Sequence, residues 1–235
     1  MDIFDLAREG NLKSLREMLD EDPDLINEVT EIEDDIEGNE TPLFIATRAG
    51  HLEVVNELLR RGADPNIGDF RNSTPLHMAA QEGPIEVLRA LLRAPGIDVN
   101  AKEDFGWTPL HGAAMQGRVQ AAKLLIQRGA DINVVTADGD TPIVTARQYR
   151  HPRLERLIEA FAALKNVKGV VKLHGVTLKK SKSVSRHIPA NALGVVGSFL
   201  SGQRPAETVG PHAGRVRKET LSQQRRRLRE IIDAL

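Results

Sequence analysis

The sequence predicts an all-α solenoid of about five helix-pair units, followed by a basic C-terminal extension. Three observations carry that prediction. A four-residue phrase, Thr-Pro-Leu-His, returns at a fixed interval. The residues after each phrase repeat in the same order. The balance of charge changes sign where the repetition stops. An interval in the thirties marks stacked units rather than one closed core.

The phrase stands whole at Thr74-Pro75-Leu76-His77 and at Thr108-Pro109-Leu110-His111. It stands altered at Thr41-Pro42-Leu43-Phe44 and at Thr141-Pro142-Ile143-Val144. Successive threonines are 33, 34 and 33 residues apart. Each phrase is a helix start. Threonine accepts a bond from an orphan amide of the first turn. Proline comes next, at the first helical position, where its missing N–H costs nothing. Leucine then opens the apolar face.

The first unit is worn. Ile3, Leu6, Ala7, Leu12, Leu15, Met18 and Leu19 form a helical pattern broken at Gly10-Asn11, and the Thr-Pro start is missing. Asp2, Arg8, Glu9, Lys13, Arg16 and Glu17 supply the polar outer face that an end unit needs. Ala7 is matched with Ala46, an interval of 39 residues. The later intervals, through Ala79, Ala113 and Ala146, are 33 or 34. The surplus is placed in residues 28–40, a run with seven Asp or Glu, which reads as a long acidic loop. Insertions in repeat proteins collect in loops on one face.

The middle units are regular. Val54, Val55, Leu58 and Leu59, then Val87, Leu88, Leu91 and Leu92, then Ala121, Ala122, Leu124 and Leu125 form one apolar spine that neither helix of a unit could bury alone. The last unit has Arg147 and Arg150 where small residues are expected, and a second helix from His151-Pro152 with Leu154, Leu157, Ile158 and Phe161 inward. Units are placed near 1–35, 36–68, 69–102, 103–135 and 136–165.

Residues 166–235 do not repeat. They hold 14 Lys+Arg against 4 Asp+Glu, whereas residues 1–165 hold 18 against 29. Residues 170–178 could form a small hairpin around His174-Gly175. A Gly- and Pro-rich linker and a helix from Lys218 to Leu235 are expected after it. Lys179, Lys180, Lys182, Arg225, Arg226 and Arg227 are candidates for contact with nucleic acid or an anionic membrane. Docking on a partner, or simple solvation of the charge, fits the same residues.

Composition narrows the chemistry. There is no cysteine, which excludes disulfides, Cys-based zinc sites and a thiol nucleophile. The start, Met1-Asp2-Ile3-Phe4-Asp5, is acidic and lacks a signal-peptide pattern. Gly194-Val195-Val196-Gly197-Ser198 lacks the ending of a phosphate loop. No enzyme activity, cofactor, metal or small-molecule substrate is expected. The expected location is cytoplasmic, with a nuclear or host-cell location as the alternative.

The recurring Thr-Pro-Leu-His, the Ala and Gly after it, and Gly62-Ala63-Asp64 with Asn66 and Gly129-Ala130-Asp131 with Asn133 resemble the ankyrin repeat. The resemblance covers about residues 1–165. It implies antiparallel helix pairs in a row, with β-turn fingers projecting from them. It also implies an adaptor that holds another protein on the fingers and the adjoining first helices. By register those positions are Phe70, Arg71, Ser73, Gln81 and Glu82, then Lys102, Asp104, Phe105, Trp107, Met115 and Gln116, then Asp138, Asp140, Gln148 and Tyr149. The acidic array favours a partner of basic or mixed charge. A secreted bacterial effector that captures a host protein is the alternative setting. His77 and His111 read as turn-binding residues, as the resemblance implies, because Phe44 and Val144 replace them in sister units.

Overall fold

The computed structural model describes residues 1–30 and 38–173, with side chains through residue 162. Those residues contain ten α-helices and no strand. They are α1 (Ile3–Glu9), α2 (Leu12–Glu21), α3 (Pro42–Ala49), α4 (Leu52–Arg60), α5 (Pro75–Gln81), α6 (Ile85–Leu91), α7 (Pro109–Met115), α8 (Val119–Gln127), α9 (Pro142–Gln148) and α10 (Pro152–Leu173). The chain divides into two compact units, Met1–Ile158 and Glu159–Leu235. Helices α1 to α9 and the start of α10 make up the first.

Helices of seven to ten residues are marginal alone, so packing must hold them. They pack in two layers. The first layer runs α1, α3, α5, α7, α9, each against the next; the second runs α2, α4, α6, α8. Leu15, Val55, Leu58, Leu88, Leu91 and Leu125 are fully buried, as are Leu43, Leu76 and Leu110 from the helix-start phrases. Small residues let the layers approach: Ala46, Ala79, Ala113 and Ala146 are all at 0% exposure.

The helix starts form as their chemistry requires. Thr41 Oγ1 accepts from the Phe44 amide at 3.1 Å. In α5 and α7 a histidine closes the capping box where a glutamate is usual.

The turn between the two helices of a unit also ties that unit to the one before. His51 donates its Nε2–H to the Arg8 carbonyl at 3.0 Å, and His151 does the same to Met115 at 2.9 Å. The ring lies so close to the preceding unit that a Cβ on Gly117 would come within 2.3 Å of His151. Gly117 also has a φ of +65°. Of the two units between, Pro84 stands in the histidine's place before α6 and Arg118 before α8. Arg118 donates to the carbonyls of Ala79 at 2.7 Å, Ala80 at 3.0 Å and Gly83. Burial lowers its pKa from the usual value.

Two expectations need correction. Ala46 is matched by Leu6, not Ala7, because the Leu6 carbonyl accepts from Asn11 as the Ala46 carbonyl accepts from His51. The eye picks out the alanine, but the hydrogen bonding sets the register. Residues 170–173 are not the first arm of a hairpin; they are the last turn of α10. Strong helix formers from Ala160 to Lys165 extend that helix, and no proline occurs between Pro152 and Pro189. The rest of the expected hairpin, the linker and the helix from Lys218 lie outside the described residues.

Candidate interaction surface

Each finger is one turn with the same closure. The backbone bonds are Thr30 N to Glu40 O at 3.1 Å, and Asp69 N to Ser73 O, Glu103 N to Trp107 O and Thr136 N to Asp140 O, each at 3.0 Å. The first residue of each finger also pins it with a side-chain oxygen. Thr30 Oγ1 accepts from Glu40 N at 3.1 Å and Thr136 Oγ1 from Asp140 N at 3.2 Å. Asp69 accepts from Arg71 and Ser73, each at 2.9 Å, and Glu103 from Phe105 at 3.1 Å and Trp107 at 3.3 Å. The residue two before each threonine has a left-handed backbone: Asn39, Asn72, Gly106 and Gly139 have φ of 63°, 61°, 77° and 83°. Asn and Gly are the residues that tolerate this region.

This common geometry locates the insertion. Nine residues lie between Thr30 and Glu40, where three lie between Asp69 and Ser73. The surplus enters at the tip of the first finger. Residues 31–37, which carry most of its acidic groups, lie outside the described residues.

Fingers are joined edge to edge. Phe70 N donates to Gly38 O at 3.2 Å, Asp104 N to Arg71 O at 3.0 Å and Ala137 N to Phe105 O at 2.8 Å. Asn72 Nδ2 adds a bond to Asp104 at 2.7 Å. The two histidines of the phrase tighten the same joints. His77 Nε2–H donates to Trp107 O and His111 Nε2–H to Asp140 O, both at 3.1 Å. Their Nδ1 atoms accept from the amides of Thr74 and Thr108 at 3.1 and 3.2 Å. Burial lowers the pKa of both histidines, and the hydrogen bonds to carbonyls oppose it in part. Both nitrogens of each ring are therefore occupied in turn closure.

A second series runs through the loops that return from the second layer. Asn27, Asn66 and Asn100 each accept, through Oδ1, from the amide of Asp64, Asp98 and Asp131 in the next unit, at 2.9, 2.8 and 2.8 Å. Asn66 and Asn133 repeat visibly in the sequence, but the ladder through Asn27, Asn66 and Asn100 does not show there. The pinning residues Asp69 and Glu103 were also missed. Their signal is an oxygen-bearing side chain five residues before Thr74, Thr108 and Thr141.

The candidate binding residues divide by exposure. Phe105 and Tyr149 are 58% and 50% exposed, and Phe70 is 38% exposed with the Arg71 guanidinium 5.0 Å over its ring. Lys102, Asp104, Asp138, Glu82, Gln116 and Gln148 are exposed as well. Ser73, Gln81 and Met115 are half-buried. Asp140 is half-buried and accepts from Gln148 Nε2 at 3.0 Å. Trp107 is half-buried, with its ring 5.8 Å from that of His111. Lys179, Lys180, Lys182, Arg225, Arg226 and Arg227 lie outside the described residues.

Apart from Met1 at the terminus, the large exposed apolar side chains among the described residues are Val29, Phe70, Phe105, Val135 and Tyr149. Four belong to fingers or their leading arms, and the fifth ends α9. No helix among the described residues is long and apolar enough to cross a membrane.

A family model described as ankyrin repeats (3 copies) matches residues 3–103 and 96–168. No curated protein matches the chain.

Proposed function

The chain belongs to the ankyrin-repeat family, and we propose that it is a non-catalytic adaptor holding a partner protein against its fingers and the ends of α5, α7 and α9. Members of the family are generally protein–protein interaction modules. One observation supports the finer reading: Phe70 and Phe105 stand exposed on successive fingers, and Tyr149 stands exposed at the end of α9. Exposed aromatic rings are costly in water and are what interface hot spots are built from. The fingers beneath them are pinned and cross-linked, so binding orders little backbone and loses little entropy.

Charge sets the partner's character. Asp104, Asp138, Asp140 and Glu82 flank the rings, and Arg71 and Lys102 are the cations nearby in the fingers. A partner segment of basic or mixed charge with an apolar anchor complements that set.

Affinity capture with the full chain tests the reading. Phe105→Ala with Tyr149→Ala is expected to weaken retention of the captured protein by about tenfold or more and to leave the unfolding midpoint unchanged. Undiminished capture by the folded double variant would remove the basis of the proposal.

A further inference from the structure

The second layer uses its arginines in two ways. On α2 and α4 they converge on one carboxylate. Glu57, 4% exposed, receives Arg60 at 2.7 and 3.1 Å, Arg61 at 2.8 Å and Arg16 at 3.2 Å, and Arg61 also reaches Asp20 at 2.7 Å. On α6 and α8, at the turns that end them, and at the start of α10 no such convergence exists among the described residues. Arg89, Arg93, Arg128, Arg153 and Arg156 are exposed, and none has an ion pair among the described residues. Glu86 is the one carboxylate on α6, α8 has none, and Glu155 at the start of α10 is held by Arg147 at 2.9 Å.

We propose that this face of α6, α8 and the start of α10 is a second interaction surface, separate from the fingers, that binds an acidic segment of a protein. Counted from the turn that starts each second helix, Arg89, Lys123 and Arg156 occupy the same position on α6, α8 and α10, so a row of cations crosses the three helices. Helices α6 and α8 pack on each other, and the turn that starts α10 is tied through His151 to the end of α7. At about 8–10 Å between packed axes, three successive second-layer helices make a positive strip about 20 Å wide. That exceeds a Debye length of about 8 Å at physiological salt, so the strip acts as a local field despite the acidic total of the array. An extended segment of about six or seven residues spans the same width.

The size of the strip selects the class of partner. Nucleic acid carries its charge along its whole length and would run off the strip onto the acidic loops. A short acidic peptide fits within it. Arginine supplies the five exposed cations of the strip, and its planar fork suits bidentate contact with carboxylates. Among the described residues no exposed aromatic ring stands on these helices to stack a base.

The test uses the full chain and a fluorescent polyglutamate peptide of about eight residues, titrated by anisotropy. Three variants are compared: Arg89→Glu/Arg93→Glu/Arg156→Glu, the milder Arg89→Gln/Arg93→Gln/Arg156→Gln, and Arg225→Glu/Arg226→Glu/Arg227→Glu as the tail control. Thermal unfolding of each confirms the fold. The helix variants are expected to weaken peptide binding by about tenfold or more, glutamate more than glutamine, and the tail variant to leave it within about twofold. Equal binding by the helix variants overturns the proposal, as does loss of binding in the tail variant alone. Tighter binding of a short DNA duplex, lost in the same helix variants, would also overturn it by assigning the face to nucleic acid.

Discussion

Glu57 and Arg89 belong to neighbouring helices of the same layer, yet charge does opposite work at the two places. Around Glu57 every nearby cation is committed to the stack: Arg16 belongs to the first unit, Arg60 and Arg61 to the second. Arg60 and Arg61, by hydrogen bonding to it, hold the Glu57 carboxyl well below the usual carboxylate range, against the opposing cost of burial. Around Arg89 and Arg93 the helix is held by buried apolar residues, Val87, Leu88, Leu91 and Leu92 among them, with no ion pair to either arginine among the described residues. The N-terminal unit buries Ile3, Leu6, Leu15 and Leu19 and is fastened by ions as well. The middle of the array is fastened by leucine and leaves its ions for other uses.

The largest expected effect tests that contrast directly. Glu57→Ala is expected to cost about 2 kcal/mol by urea denaturation, less than the ~3–5 kcal/mol of a fully enclosed pair, because the arginines left behind can turn to water. A loss confined to experimental error would show that the ionic joint does not hold the cap.

Thr47 supplies the inverse case, a buried polar group without a partner. Its hydroxyl is fully buried and makes no hydrogen bond, and Ala80 and Ala114 occupy its place in the next units. Thr47→Val keeps the shape and removes the orphan hydroxyl, so a gain of about 1 kcal/mol is expected in the same assay. A loss would mean that the hydroxyl contributes to packing as a polar group.

Acid separates the finger joints from the ionic joint. Burial lowers the pKa of His77 and His111 from 6.5, so the unfolded chain takes up protons first as pH falls. Their contribution is complete above pH 6.5 and is lost as pH drops through their lowered values. Glu57 is lowered from 4.5, so its contribution persists above that value and is lost at still more acid pH. Denaturant midpoints taken stepwise from about pH 7.5 to about pH 5.5 are expected to fall modestly, and to fall less in His77→Gln. A flat profile in both chains would contradict the histidine assignment.

The smallest effect closes the comparison. Arg89→Ala with Arg93→Ala is expected to change stability by no more than about 0.5 kcal/mol, since neither side chain has an ionic partner among the described residues. A loss as large as that of Glu57→Ala would erase the distinction between the two halves of the layer.

Much of the fold was legible because its cause is local. Thr-Pro sets a helix start from adjacent atoms, and the spacing of Leu58, Leu91 and Leu125 shows directly which side is buried. The fingers were legible in position but not in closure. Asp69 and Glu103 pin them through bonds to amides two and four residues away, and their common distance from Thr74 and Thr108 is masked because Asp, Glu and Thr share the position. The Glu57 cluster joins residues 41 apart, so no local pattern announces it. Arg118 was hidden by identity, since it performs with a guanidinium what His51 and His151 perform with an imidazole. The end of α10 was misplaced because Val170 and Val171 suggest a strand, while the helix already running from Pro152 continues through them.

Hydrogen exchange on the full chain, alone and with its captured partner, addresses the finger surface most directly. If the fingers hold the partner, new protection will appear in the third and fourth of them, near residues 102–107 and 136–140, and at the end of α9 near Tyr149. Protection confined to residues 166–235, with the fingers exchanging as freely as before, would contradict that role.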